Sequence, residues 1–174
     1  MEKRIYKEKK FSSPIAGVIS DTHIKVNNIL QVVDIFQQFI NLLIEFDLKL
    51  AIHCGDFFEN RNAQTFENLI AIKLIINLFA ENNITLFAIP GNHDKQNLEG
   101  EDSYVDIYDL HDEERFVIYK EAGYFDFTKT KLRLFFIPYF TEANTSDSNS
   151  VELNFSVPTT TFHRSAEIAW SVNF

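Results

Sequence analysis

The stretch ITLFAIPGNHD, residues 84–94, shows the pattern from which the fold can be predicted. Its apolar first half is typical of a short buried strand, and Pro90-Gly91 ends that strand just before a polar cluster. The same arrangement occurs twice earlier in the chain, as IAGVISDTH at residues 15–23 and as LKLAIHCGD at residues 48–56. Three apolar strands are therefore each followed directly by carboxylate, imidazole or amide side chains.

Helical patterns separate these three strands. Apolar residues recur at helical spacing from about Asn28 to Ile44, where Asn27 or Asn28 can cap the helix, and again from Gln64 to Ala80. The order strand, helix, strand, helix, strand predicts two βαβ units. Such units form a parallel sheet with right-handed crossovers, so the fold class is α/β.

The second half of the chain has a different character. Phe116–Tyr119, Tyr124–Phe127 and Leu132–Ile137 are predicted as short strands, whereas residues 141–150 are polar and residues 151–174 show no clear period. We therefore expect a charged N-terminal extension over residues 1–14, a domain over residues 15–140, and a divergent or truncated tail over residues 141–174.

Composition limits the classes of function. The chain has 174 residues, 45% of them hydrophobic, as expected for one globular domain, and its net charge of −9 argues against a basic coat for nucleic acid. Lysines and an arginine cluster in the first ten residues, either as an arm that contacts phosphate or as a solvated terminus. The single cysteine, Cys54, cannot form an intramolecular disulfide. The highly charged opening residues predict no signal or membrane segment and fit a cytoplasmic protein.

The polar clusters favour metal chemistry. Because ligand sites form at the carboxyl ends of parallel strands, the three clusters can converge on one spot. Hydrolysis of a phosphate ester needs a nucleophilic water and positive charge near the phosphoryl oxygens, which two divalent cations about 3.5–4 Å apart can supply. Carboxylate and imidazole ligands suit Mn²⁺, iron or Zn²⁺.

Each candidate residue has a role in such a site. We predict that Asp21 and His23 bind one metal and that Asp56, on the middle of the three strand ends, bridges two. Asn92 offers a neutral oxygen to the second metal. His93 can donate a proton to the leaving oxygen, and Asp94 can orient the His93 imidazole.

The order Asp-x-His, Gly-Asp, Gly-Asn-His-Asp resembles the first half of the calcineurin-like metallophosphoesterase signature. The runs HCGDFFENRN at residues 53–62 and FFIPYFTEANT at residues 135–145 are similar to the SbcD-like nuclease subunits of bacteria and phages. The resemblance covers about Ile15 to Asn144. It implies the βαβαβ N-terminal half of a metallophosphoesterase β-sandwich flanked by helices, incomplete at the C-terminus.

The resemblance also implies a function. It assigns Asp21 and His23 to the first metal, Asp56 to the bridge, Asn92 to the second metal and His93 to catalysis. It implies Mn²⁺-dependent exonucleolytic and endonucleolytic cleavage of DNA in recombination and repair. An SbcC-like ATPase partner and a homodimer are implied as well.

The sequence departs from the family after His93. The family pattern continues with a single His and a Gly-His-x-His motif, but only His111 and His163 remain, and we expect neither to be a ligand. The chain would then be a truncated product or one half of a split protein, and the strands within residues 116–137 would lack partners and expose an apolar edge. Two other functions stay open: a phosphomonoesterase or protein phosphatase, disfavoured by FFENRN after Asp56 and by Asp94, and a non-catalytic remnant.

Three further residues have plainer interpretations. His53 is expected to be a packed residue rather than a ligand, and Cys54 a buried thiol. Arg61 either contacts phosphate or forms a surface ion pair with Glu59.

Overall fold

The computed structural model describes residues 14–98, 102–109, 115–127, 132–139 and 167–172. Four parallel strands form the first sheet in the order β1-β2-β3-β4. Their bounds are Gly17–Ile19 (β1), Leu50–His53 (β2), Thr85–Ala88 (β3) and Phe116–Ile118 (β4). Helix α1, Ile29–Glu45, connects β1 to β2, and helix α2, Phe66–Glu81, connects β2 to β3. The predicted α/β fold with its βαβαβ order is therefore confirmed.

The parallel sheet is buried on both faces. Alternate side chains of β2 and β3, such as Ala51 and Leu86, face the helices and pack with Phe36 and Phe79. The residues between them face the other way, where six residues form a second core: Leu50, Ile52, Phe87, Ile89, Leu134 and Phe136. Burial on both faces explains why β2 and β3 are continuous apolar runs without alternation.

A second, antiparallel sheet supplies the other side of that second core. Its strands are Gly123–Phe127 (β5), Leu132–Ile137 (β6) and Glu167–Val172 (β7), in the order β5-β6-β7. Strand β6 carries Leu134 and Phe136, which pack against the first sheet. The two sheets therefore lie face to face as a sandwich, with the helices outside the parallel sheet.

The expectation that the strands of residues 116–137 lack partners is wrong in two places. Strand β4 pairs in parallel with β3, with Phe116 opposite Leu86, and so extends the first sheet instead of joining a separate one. Strand β7 pairs with β6 although it lies in the segment without a clear period. Tyr124 and Phe125 of β5 are exposed, as expected for apolar residues at a sheet edge.

The start of α1 differs from the predicted cap. The Asn28 side chain makes no cap bond to the helix; it accepts from Lys25 N at 2.8 Å and donates to the His23 carbonyl at 3.0 Å. It therefore holds the loop that carries His23. Helix α2 has a capping residue, since the Thr65 side chain accepts from Asn68 N. No helix among the described residues is long and apolar enough to span a bilayer.

Candidate metal centre

Three loops at the carboxyl ends of β1, β2 and β3 meet at one edge of the parallel sheet. Asp21 and His23 follow β1, and Asp56 follows β2; one ligand atom from each lies within 4.8 Å of the other two. Asp21 Oδ1 is 3.8 Å from His23 Nε2. The structure therefore brings together three of the residues that the sequence assigned to metal binding.

The backbone is in an unusual conformation at each of these residues. The φ angles are +55° at Asp21, +44° at His23 and +58° at Asp56. Non-glycine residues rarely occupy this left-handed region, at a cost of about 1–3 kcal/mol each. Hydrogen bonds between the loops offset this cost: Asp21 N donates to Gly55 O at 3.1 Å, and His23 N donates to Asp56 O at 3.1 Å. The local strain lies where the ligand side chains are displayed.

Two glycines allow the loops to approach closely. Gly55 has φ of +96°, and a Cβ there would lie 2.8 Å from Gly91 Cα. A Cβ on Gly91 would overlap the Asp56 carboxylate and amide. The loops after β2 and β3 are therefore in direct contact, and neither position has space for a side chain.

The Asp56 carboxylate lies between the other donors. Its Oδ1 accepts from His93 N at 2.9 Å. One end of the Asn92 amide lies 3.3 and 3.2 Å from the two Asp56 oxygens, and its other end contacts Arg61 Nη2. Because the Arg61 guanidinium can only donate, the amide oxygen faces Arg61, and the amide nitrogen faces Asp56 and donates to its carboxylate. To offer its oxygen to a cation at Asp56, the Asn92 amide would have to turn over.

His93 is oriented by a residue that the sequence did not suggest. Its Nδ1 lies 2.7 Å from the Glu59 carbonyl oxygen, which can only accept, so Nδ1 carries the proton. Its ring packs edge-on against His23, with the ring centroids 5.0 Å apart. The expectation that Asp94 orients this imidazole is therefore wrong, because the Glu59 carbonyl occupies that position. A main-chain acceptor of this kind leaves no signal in the sequence.

Asp94 instead joins the loops after β2 and β3. Its fully buried carboxylate accepts from Asp56 N at 2.9 Å, Gly91 N at 2.9 Å and Phe58 N at 3.1 Å. Burial raises the pKa of Asp94 to about 7, against the effect of these donors, and the nearby Asp56 charge acts in the same direction as burial. Asp94 thus fixes the backbone on which Asp56 is displayed.

Glu59 contributes its side chain as well as its carbonyl. One carboxylate oxygen lies 3.8 Å from His23 Nδ1 and 3.6 Å from Lys25 Nζ. The carboxylate thus lies near Lys25 and His23, and no ion pair with Arg61 forms among the described residues, so the surface ion pair, one of the two interpretations of Arg61, is not observed. The Arg61 guanidinium lies beside Asn92, and the Arg61 carbonyl accepts from Tyr104 OH at 3.0 Å.

The donor set suits a divalent transition metal. Carboxylate oxygens and a neutral imidazole are ligands of Mn²⁺, iron and Zn²⁺. His23 Nδ1 is buried and has no hydrogen-bond partner among the described residues, and the Glu59 carboxylate is 3.8 Å from it, too far for a hydrogen bond. His111 and His163 lie outside the described residues.

The two remaining candidates behave as packed residues. His53 is fully buried and stacks on Phe57 with the ring centroids 3.5 Å apart, as expected for a packed histidine. Cys54 is half-buried, and burial, together with the Asp21 charge, raises the pKa of its thiol to about 11. The thiol therefore stays protonated at neutral pH.

Comparisons with known proteins show which families and structures this chain is similar to. The family model for calcineurin-like phosphoesterases matches residues 16–172. The DNA double-strand break repair protein Mre11 of Saccharolobus solfataricus is 33% identical over 88 residues, which are 47% of this chain and 23% of that protein. The crystal structure of the Pseudomonas putida nuclease MPE is 21% identical with a TM-score of 0.41, over 60% of this chain and 46% of that one. The chain thus spans about a quarter of the Mre11 relative's length.

Proposed function

The chain belongs to the calcineurin-like phosphoesterase family, and from this premise we propose that it hydrolyses phosphodiester bonds in DNA at a site for two divalent metal ions. The observation that carries the proposal is the convergence of Asp21, His23 and Asp56 at the carboxyl edge of the sheet. Mn²⁺ is the metal that we expect, because carboxylates predominate over imidazole in the donor set.

Four side chains would bind the metals. Asp21 and His23 would bind the first ion, Asp56 would lie between the two, and Asn92 would supply an oxygen to the second. The ions, when bound, supply positive charge to the phosphoryl group and lower the pKa of the attacking water. Asp94 would act as a positioning residue, because its fully buried carboxylate bonds to the backbone of Asp56.

His93 is proposed as the general acid. Since its Nδ1 is engaged by the Glu59 carbonyl, Nε2 is the nitrogen available to the substrate. A protonated ring would donate from Nε2 to the leaving oxygen of the ester, and the Glu59 carbonyl would keep the ring in place. We further propose that Arg61, whose guanidinium lies beside Asn92 without a carboxylate partner among the described residues, binds a phosphate oxygen of the substrate.

DNA is the proposed substrate for two reasons. The stretch FFENRN after Asp56 is similar to the SbcD-like nuclease branch, and Mre11, the relative at 33% identity, is a DNA double-strand break repair protein. We therefore propose an exonuclease and endonuclease subunit of SbcD type, of phage or bacterial kind, that acts in recombination and repair. An SbcC-like ATPase partner, a homodimer and a cytoplasmic location belong to the same proposal.

The test measures metal content and cleavage together. The purified chain is loaded with Mn²⁺ and assayed on an activated phosphodiester and on linear duplex DNA, with Asp56→Asn as the site variant. Asp34→Asn, which removes the same charge from an exposed position of α1, is the matched control. Two bound ions and cleavage of both substrates, lost in Asp56→Asn only, support the proposal.

Other outcomes separate the alternatives. Cleavage of a phosphomonoester in preference to both diesters would favour a phosphatase. One bound ion or none, with no cleavage by the folded chain, would favour the non-catalytic remnant. Activity that persists in Asp56→Asn would contradict the site assignment.

A further inference from the structure

His53 is the last residue of β2 and contacts two loops of the candidate metal centre. We propose that His53 is a positioning residue, which bonds Thr22 on one side and Gly55 on the other and so fixes the loop of Asp21 and His23 relative to that of Asp56. The inference deepens the proposed function, because it concerns the same metal site.

The two ring nitrogens of His53 bond to different loops. Gly55 N lies 3.2 Å from Nδ1 and can only donate, so Nδ1 is an acceptor without a proton. The proton of the neutral ring is therefore on Nε2, which lies 3.2 Å from Thr22 Oγ1. Thr22 in turn can donate its hydroxyl proton to the Phe57 carbonyl at 3.5 Å. These hydrogen bonds connect Gly55 of the β2 loop through His53 to Thr22 of the β1 loop, and Thr22 in turn to Phe57 of the β2 loop.

Packing holds the ring in this orientation. It is fully buried and lies nearly parallel to the rings of Phe57 and Phe36, at interplanar angles of 13° and 21°. Burial, with a smaller effect of a charge on His23, lowers the pKa of His53 to about 3, so the ring stays neutral and keeps the tautomer that the two bonds require.

The loops need such a contact at this point. Thr22 lies between Asp21 and His23, which both have positive φ. Gly55 and the residue after it, Asp56, also have positive φ. The backbone hydrogen bonds that join the two loops include the amides of Asp21 and His23, whereas the amide of Thr22 forms no backbone bond within the described part of the chain. The His53 contact, at 3.2 Å, is the shorter of the two bonds that hold the Thr22 side chain, and it therefore helps to fix the peptide units on either side.

Four variants test the hydrogen bonds of His53 to Gly55 and to Thr22. His53→Phe keeps the aromatic ring and removes both, whereas His53→Asn keeps an acceptor in place of Nδ1 and His53→Gln keeps a donor in place of Nε2. Thr22→Val keeps the shape of the other partner and removes its hydroxyl. Ile75→Val, on the buried face of α2, is the control for a loss of stability that does not touch the site.

The experiment is a titration of the full chain with Mn²⁺, and with Co²⁺ to read ligand geometry from its visible spectrum. We expect His53→Phe and Thr22→Val each to weaken Mn²⁺ binding about tenfold, as typical of residues that orient metal ligands, and Ile75→Val to leave it unchanged. The double variant His53→Phe/Thr22→Val should bind Mn²⁺ about as weakly as either single variant, because both substitutions remove the same hydrogen bond between His53 and Thr22. His53→Gln should bind more tightly than His53→Phe.

The outcomes distinguish this inference from the function on which it rests. If the wild-type chain binds Mn²⁺ and the His53 and Thr22 variants bind equally well, the positioning role is overturned and the metal site stands. Losses that multiply in the double variant would also overturn it, because the two residues would then act independently. If the wild-type chain binds no Mn²⁺, both proposals fail. Thr22→Val keeps the test decisive should His53→Phe not fold, because Thr22 is only half-buried.

Discussion

Acid should destabilise the folded chain through His53. The ring is fully buried, and burial lowers its pKa from 6.5 to about 3 in the folded state. An unfolded chain binds a proton at this histidine below about pH 6.5, whereas the folded chain does not until about pH 3. The unfolded state therefore binds more protons in this window, and stability must fall as the pH is lowered through it.

The size of the effect follows from the two pKa values. About 1.5 pH units below the unfolded pKa, at about pH 5, the contribution is about 2 kcal/mol, since each unit corresponds to about 1.4 kcal/mol. At about pH 7 the contribution is close to zero. Because small domains are stable by only about 5–15 kcal/mol, a change of this size is measurable.

The assay compares urea unfolding of the wild-type chain and of His53→Phe, in chelator, at about pH 7 and about pH 5. Phenylalanine keeps the stack with Phe57 and cannot titrate. All other titratable groups are common to both chains, including Asp94, whose raised pKa acts in the opposite direction over the same window. The loss of stability on acidification should be about 2 kcal/mol greater in the wild-type chain.

Two results would refute this reasoning. Equal losses in the two chains would mean that His53 is already protonated, or is exposed to water, in the folded state. A greater loss in His53→Phe would mean that the folded state binds the proton more tightly than the unfolded one, which is the reverse of the burial argument.

Four further outcomes are expected. Asp94→Asn should lower the free energy of unfolding by about 1–3 kcal/mol and weaken Mn²⁺ binding, because an amide cannot accept from all three backbone donors. Urea unfolding and metal titration measure the two effects, with Asp34→Asn as the control. Unchanged values in Asp94→Asn would contradict the contacts of Asp94. His93→Asn should keep its metal and lose about 10²–10⁴-fold in kcat if His93 is the general acid, whereas loss of metal in that variant would make it a ligand. Arg61→Gln should raise KM for the diester about tenfold or more with metal content unchanged, and an effect on kcat alone would argue against phosphate binding. Removal of metal with a chelator should leave the chain folded, as measured by circular dichroism. Mn²⁺ at about a hundred times its Kd should add about 2.7 kcal/mol to the free energy of unfolding. A chain that unfolds in chelator would show that the loops depend on the ions.

The first half of the fold could be predicted because its signals are local. The βαβαβ order follows from helical periodicity in α1 and α2 and from apolar runs between them. The candidate ligands Asp21, His23 and Asp56 could be placed together because parallel strands end at one edge of the sheet. Local pattern and general topology were sufficient for these features.

The rest depends on contacts between distant segments. Strand β4 has three residues and no period of its own; only its pairing with β3 makes it part of the parallel sheet. Strand β7 is likewise recognisable as a strand only through its antiparallel pairing with β6. The role of Asp94 was predicted wrongly for the same reason, since its partners are backbone amides of Asp56 and Phe58 that no residue type reveals. Main-chain acceptors and donors have no signature in a sequence.

These contacts together hold the strained loops of the site in place. Residues that display the ligands at positive φ would relax if the loops were free. Asp94 fixes the Asp56 loop to the β3 loop, the hydrogen bonds of Asp21 and His23 fix the β1 loop to the β2 loop, and the buried ring of His53 adds a bond to each side. None of these three devices uses a side chain that we propose as a metal ligand. The ligand atoms therefore remain available to the ions, and the energy that orders them comes from the protein core.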